Sequence, residues 1–271
     1  MVDLLKRSLA PITAAAWTEI DATATRILKS LLSARTLVDF RGPHGWEYAA
    51  VNIGRLEIAR KGAAGDVPWG LRSVLPLLEV RVPFSLRQME LDNISRGCRN
   101  PDLGALEETA RRVALFEETA IYKGFSAGQI KGIIEASAHK PLKLPPGIAQ
   151  YPQAVSAAIR VLRSAGVDGP YALVLASEPY DALMGAEARG YPPRRILRDL
   201  LGGEILWSPA LEGGVLLSAR GGDFELTVGQ DLAIGYATHD RDQVELYLTE
   251  TFTFRVLNPA AAVELRVTTG R

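Results

Sequence analysis

The sequence predicts an α+β protein. Two stretches, one behind Thr13 and one behind Asp102, carry apolar residues at helical spacing. Residues 220–267 are nearly all β in pattern, with strand-like runs divided by glycine and polar turns. Between about Pro141 and Ser218, helix-like and strand-like segments alternate. No internal repeat or low-complexity segment interrupts this order.

The first helix opens at Thr13, whose hydroxyl can cap it. Ile12 before the cap and Trp17 at the fourth helical position have the spacing of a hydrophobic staple. Trp17, Ile20, Ala24, Ile27, Leu28 and Leu31 then make one apolar face. Residues 1–12 form a short arm, which frays unless a surface ties it down. "RGPHGW", Arg41 to Trp46, is a turn. An extended run from Glu47 to Arg60, a tip at "KGAAGD" and a return through "LPLLEVRVPF" read as a long hairpin. Two strands alone are marginal in water, so the hairpin is expected to lie on something else.

Asp102 can cap the second long helix, whose face is Leu103, Leu106, Ala110, Val113 and Ile121. Glu107–Arg111 and Glu108–Arg112 are i,i+4 pairs in the favourable order. Further on, "PQAVSAAIRVLRSAG" reads as a helix, "YALVLA" as a buried strand and "PYDALMGA" as a short helix. "PPRRILRDLLGG" begins with prolines and ends with glycines, the usual helix punctuation. In "VELYLTETFTFRVL", Val244, Leu246 and Leu248 share one strand face, with Glu245, Tyr247 and Thr249 on the other.

Composition sets the outer limits. The chain has 271 residues, enough for one large domain or two smaller ones, and 47% are hydrophobic. Lys plus Arg and Asp plus Glu are 31 each, so no net charge draws it to nucleic acid. A neutral chain also lacks the repulsion that keeps copies apart. Cys98 is the single cysteine, which excludes an internal disulfide and a CxxC metal site. The N-terminal residues do not read as a signal peptide, and no apolar run reaches a membrane span. The expected setting is cytoplasmic.

The motifs that could carry chemistry do not. "RGGDFELTVGQ" has neither the Walker nor the GxGxxG spacing and leads into a strand, so Gly221–Gly222 reads as a turn. His239–Asp240 sits in the polar segment "ATHDRDQ" and reads as a surface turn; none of the three histidines has metal-ligand spacing. Glu107/Glu108 and Glu117/Glu118 lack the ExxH of a di-iron helix and read as a solvated, salt-bridged face. No GxSxG elbow is present. Cys98, between Arg96 and Arg99, reads as an incidental thiol. The chain is not expected to be an enzyme.

Several long motifs, in order from end to end, closely resemble the encapsulins, shell proteins of prokaryotic nanocompartments. They include "LVDFRGPHGWEYAAVNIG", "ELDNISRG", "LEETARRVALFEETAIYKG", "GPYALVL", "RGGDFELTVGQDLAIGY" and "VELYLTETFTFRV". The resemblance implies the HK97-like major capsid protein fold and a self-assembling icosahedral shell, of sixty copies in the smallest class. It implies an arm and helix at 1–46 and an extended loop at 47–84 overlapping a neighbour. A peripheral domain with the spine helix would cover 85–134, an axial domain 135–220, and peripheral strands 221–271.

It also implies a partner: a cargo enzyme, such as a ferritin-like protein or a peroxidase, docked by a terminal targeting peptide. The matching positions are Leu28, Arg35, Asp39, Asp231, Leu232 and Ile234. "EARGYPP" matches the fivefold-pore loop, with Glu187, Arg189, Gly190 and Tyr191 lining it. Some relatives hold a flavin beside an aromatic residue in the segment matching "SLRQMELDN". Met89 stands at that position here, so neither a flavin nor another cofactor is expected. Neither a membrane nor a specific nucleic acid is an expected partner. The competing readings are a phage-type capsid protein that packages DNA and a linocin-like hydrolase.

Overall fold

The structure, a computed structural model, describes residues 4–58, 67, 69–186 and 192–267. The expected hairpin tip at 61–66 and the loop residues Glu187, Arg189, Gly190 and Tyr191 lie outside the described residues.

Helix α1 (Ala14–Leu31) begins as its cap dictates: Thr13 Oγ1 accepts the Ala16 N–H at 3.2 Å. Ile12 and Trp17 pack half-buried against the same cluster, the staple expected of them. The arm before it is tied down by its own chain. Arg7 pairs with Asp21 at 2.7 Å and stacks 3.9 Å above the Trp17 ring. The Leu5 carbonyl accepts the Tyr236 N–H at 2.8 Å, and the Leu4 carbonyl accepts the Tyr247 hydroxyl at 2.9 Å.

After α1 come β1 (Asp39–Arg41), β2 (Ala50–Ile58), β3 (Gly70–Pro76) and β4 (Leu78–Arg87). The expected hairpin divides here. Strand β2 pairs with β3, from Ala50 opposite Pro76 to Ile58 opposite Gly70. The segment read as its return strand is β4, which leaves the hairpin. The cause lies in its side chains. Leu78, Val80, Val82, Phe84 and Leu86 alternate with Glu79, Arg81, Pro83 and Ser85 and reach a core, which a free hairpin could not offer them. Leu56, Ile58, Leu71 and Val74 of β2 and β3 remain exposed.

Helices α2 (Gln88–Ser95) and α3 (Gly104–Tyr122) follow. The α3 start differs in detail from expectation: Leu103 occupies the cap position, and Asp102 accepts the Gly104 N–H at 3.2 Å. Leu106, Ala110, Val113 and Ile121 are buried as expected, and Glu107 pairs with Arg111 at 3.0 Å.

The chain continues through α4 (Ile133–Ala136), β5 (Leu142–Leu144), α5 (Tyr151–Ser164), β6 (Tyr171–Leu175), α6 (Ser177–Met184), α7 (Pro193–Leu201), β7 (Ile205–Trp207) and β8 (Gly214–Ser218). Helix α7 has proline in its first turn and ends at Gly202, whose φ of 65° suits glycine. The last strands are β9 (Phe224–Val228), β10 (Ala233–His239), β11 (Gln243–Val256) and β12 (Ala262–Val267).

Two larger sheets result. In the first, the order is β1-β9-β11-β10, and β4 runs along the other side of β11. Strand β11 serves three neighbours: β10 on its first half, β9 on its second, and β4 over ten residues. In the second sheet the order is β5-β12-β8-β6-β7, with α5 and α7 packed on it. Strand β12 therefore joins the second sheet rather than the first, so the expected C-terminal set of strands is split between the two. One apolar cluster spans both sheets; the other lies between α1, α2, α3 and the strands β4, β10 and β11. Each fully buried Leu or Ile there contributes about 2 kcal/mol.

Candidate functional site

Arg35 lies in a short 3-10 turn, Ala34–Thr36, just after α1. The turn aims its guanidinium at α3 and the first sheet, where three carboxylates meet it. Glu117 accepts in bidentate fashion, from Nε to Oε1 and from Nη2 to Oε2, both at 2.8 Å. Asp231 accepts from Nη1 at 2.8 Å, and Glu250 accepts from Nη2. Glu117 and Glu250 have no solvent exposure, whereas the Asp231 side chain is 39% exposed.

One cation cannot neutralise three buried or half-buried anions, and the protons adjust accordingly. Burial, then the Glu117 charge, pushes Glu250 well above the usual carboxylate range, which favours its protonated form. Its Oε2 has no hydrogen-bond partner among the described residues. Burial works against the charge on Arg35, but hydrogen bonding and attraction from Glu117, then Glu250 and Asp231, outweigh it and hold the cation firmly protonated.

Glu118, the next residue on α3, makes a second knot. Its Oε2 accepts the hydroxyls of Ser33 and Ser208, each at 2.6 Å, and its Oε1 accepts the Ala34 N–H at 2.8 Å. Since Ser33 spends its proton on Glu118, the Tyr122 hydroxyl donates to Ser33, at 2.9 Å. Burial drives the Glu118 pKa up to about 7 against the pull of these hydrogen bonds. Ser208 follows β7, so this one carboxyl joins the end of α1, the spine helix and the second sheet.

Glu117 and Glu118 thus overturn the reading of a solvated face. Helical periodicity explains it: they stand four residues after Val113 and Ala114, and Glu117 four before Ile121, on the apolar stripe. That spacing was available in the sequence. Glu250, Ser33 and Ser208 carried no comparable signal.

The expected docking residues divide into three groups. Arg35 and Asp231 are brought together by their ion pair. Leu28, Leu232 and Ile234 meet in one apolar cluster; Leu28 and Ile234 are buried there, and only Leu232 is half-open. Asp39 is committed elsewhere, its Oδ2 accepting the Gly222 N–H at 2.7 Å. That bond closes the turn at Gly221 and Gly222, both at positive φ, as a glycine turn requires. Beside Arg35 the half-exposed Phe40 ring lies 5.4 Å from the guanidinium. The open part of this face is therefore Phe40, Asp231, Leu232 and one edge of Arg35.

The remaining motifs are structural in their surroundings. His239 ends β10, and Asp240 Oδ1 accepts the N–H groups of Asp242 and Gln243 at 2.8 Å, a tight turn between strands. Met89 is exposed on α2. Among the described residues no group of three or more His, Cys, Asp or Glu side chains is placed to hold a metal ion, and no helix is long and apolar enough to cross a membrane.

Residues 2–253 match the family described as encapsulating protein for peroxidase. The chain is 47% identical over 268 residues to the type 1 encapsulin shell protein of Rhodospirillum rubrum, covering 97% of this chain and 96% of that one. Its fold is similar to the virus-like particle from Pyrococcus furiosus, with TM-score 0.67 and 14% identity, over 92% of this chain and 99% of that one. It is also similar to the capsid of the myovirus XM1, with TM-score 0.55 and 12% identity, over 88% and 92% of the two chains. The hairpin, the spine helix and the two sheets therefore form an HK97-type capsid fold, and the chain belongs to the type 1 encapsulin shell proteins.

Proposed function

We propose that copies of this chain close into an icosahedral cage, sixty in the smallest class, around cargo enzymes in the cytoplasm. The chemistry then belongs to the cargo and the shell is a container. The observation that carries this reading is the end-to-end identity of 47% with a shell protein. Against 12% with a phage capsid, it favours a compartment over DNA packaging. The exposed Leu56, Ile58, Leu71 and Val74 on the two-stranded hairpin support it, because such a hairpin needs a neighbour to cover it. In this reading the hairpin overlaps an adjacent subunit, and Glu187, Arg189, Gly190 and Tyr191 line a pore.

Cargo docks by a terminal peptide on the face formed by Phe40, Arg35, Asp231 and Leu232. An apolar side chain of the peptide seats on Leu232 and Phe40, and the charges fix its register. Co-expression with a fluorescent protein carrying the terminal peptide of a co-encoded enzyme tests this. Reporter co-purifying with shells, and lost on Leu232→Asp, is the expected result. Reporter that never enters shells of the wild-type chain contradicts docking.

A further inference from the structure

Helices α6 and α7 follow one another in the chain, and their solvent faces carry opposite charge. On α6, Pro179 and Leu183 are buried, while Glu178 and Asp181 are exposed one turn apart. On α7, Leu197 and Leu201 are buried, while Arg194 and Arg198 are exposed one turn apart. Among the described residues, neither Glu178 nor Asp181 forms an ion pair. Among the described residues, the Arg194 side chain reaches only the Met184 sulfur, at 3.6 Å, and no ion pair of Arg198 is found. A groove of about 470 Å³ runs between the two helices, with Leu183 and Met184 on one side and three arginines, Arg194, Arg195 and Arg198, with one acid, Asp199, on the other.

Like charges at i,i+3 or i,i+4 weaken a helix, so each stripe gains by meeting its opposite. The spacing of about 5–6 Å between side chains one turn apart is common to both stripes, so they can meet in register. Both signs stand on one chain whose 31 acids balance its 31 Lys and Arg residues. A foreign acidic partner would answer α7 and leave α6 unanswered; a second copy answers both. The two faces differ, so the contact is head-to-tail, the kind that closes into rings.

We infer that Glu178 and Asp181 on α6 of one copy dock on Arg194 and Arg198 on α7 of the next. The inference rests on the shell reading and names one contact that sets copy beside copy.

The test reverses each stripe, as E178K/D181K and as R194E/R198E, and then both together. Size-exclusion chromatography with light scattering reads the fraction of protein in shells. Each single reversal is expected to lower that fraction about tenfold or more, because like charges then face each other. The fourfold reversal restores it. In a Cys98→Ser background, Asp181→Cys with Arg198→Cys gives disulfide-linked chains on a non-reducing gel. This cysteine pair decides the matter if a reversed variant unfolds. Wild-type assembly from both reversed variants, or no crosslink in assembled cysteine shells, overturns the inference while the shell reading stands. A wild-type chain that never assembles overturns the shell reading itself.

Discussion

Arg35 and Glu117 form a bidentate ion pair, both bonds at 2.8 Å, where Glu117 has no solvent exposure. Placed after α1 and on α3, they fasten the first helix to the spine helix. Glu250 and Asp231 join the same cation, so strand β11 and the connection between β9 and β10 are held as well.

Breaking this cluster on one side leaves buried charge without a partner. Arg35→Met is expected to cost about 3–5 kcal/mol of folding stability. Replacing Arg35, Glu117 and Glu250 together by methionine recovers most of that loss, because no unpaired charge then remains inside. Urea denaturation of the variants reads both effects. A triple variant less stable than Arg35→Met contradicts this account.

Glu118 gives the fold a pH dependence of known sign. Its pKa rises from 4.5 to about 7 on folding, so the folded chain holds a proton that the unfolded chain releases. This contribution to stability is complete below about pH 4.5 and is lost as pH rises through about 7. The ionised form costs the fold about 3 kcal/mol. Glu118→Gln cannot ionise and removes this slope. The difference in urea midpoint between wild type and variant, followed from about pH 5 to about pH 8, should grow with pH in favour of the glutamine variant. A constant difference contradicts the assignment.

Gly235 leaves room for the Tyr247 ring. A Cβ at Gly235 overlaps that ring, whose hydroxyl holds Leu4 and whose face lies 3.6 Å from Arg81. Gly235→Ala is expected to displace the ring at a cost of about 1–3 kcal/mol and to release the arm. Tyr247→Phe loses only the hydrogen bond, about 1 kcal/mol. Limited proteolysis of the first residues should be faster in the alanine variant than in the phenylalanine variant. Equal protection in both contradicts this role for the ring.

Much of this architecture was legible in the residues. Thr13, Ile12 and Trp17 announced the first helix, and Pro193 and Gly202 bounded α7. The β4 pairing was not legible, because alternation shows that a strand has two faces and leaves its neighbour open. β12 joined the second sheet for the same reason. At the candidate site, Arg35 and Asp231 came from family resemblance, and their ion pair needed the fold. The burial of Glu117 and Glu118 followed from helical spacing, but charge read as solvation hid it. Ser208 stands 90 residues from Glu118, and nothing local links them.

The central claim is that this chain alone builds a closed shell. Cryo-electron microscopy of the purified chain, with native mass spectrometry, tests it most directly. The account predicts hollow icosahedral particles of sixty 29.3 kDa chains, with the β2–β3 hairpin lying across a neighbouring subunit. A monomer or small open oligomer, under conditions where the fold is intact, would contradict it.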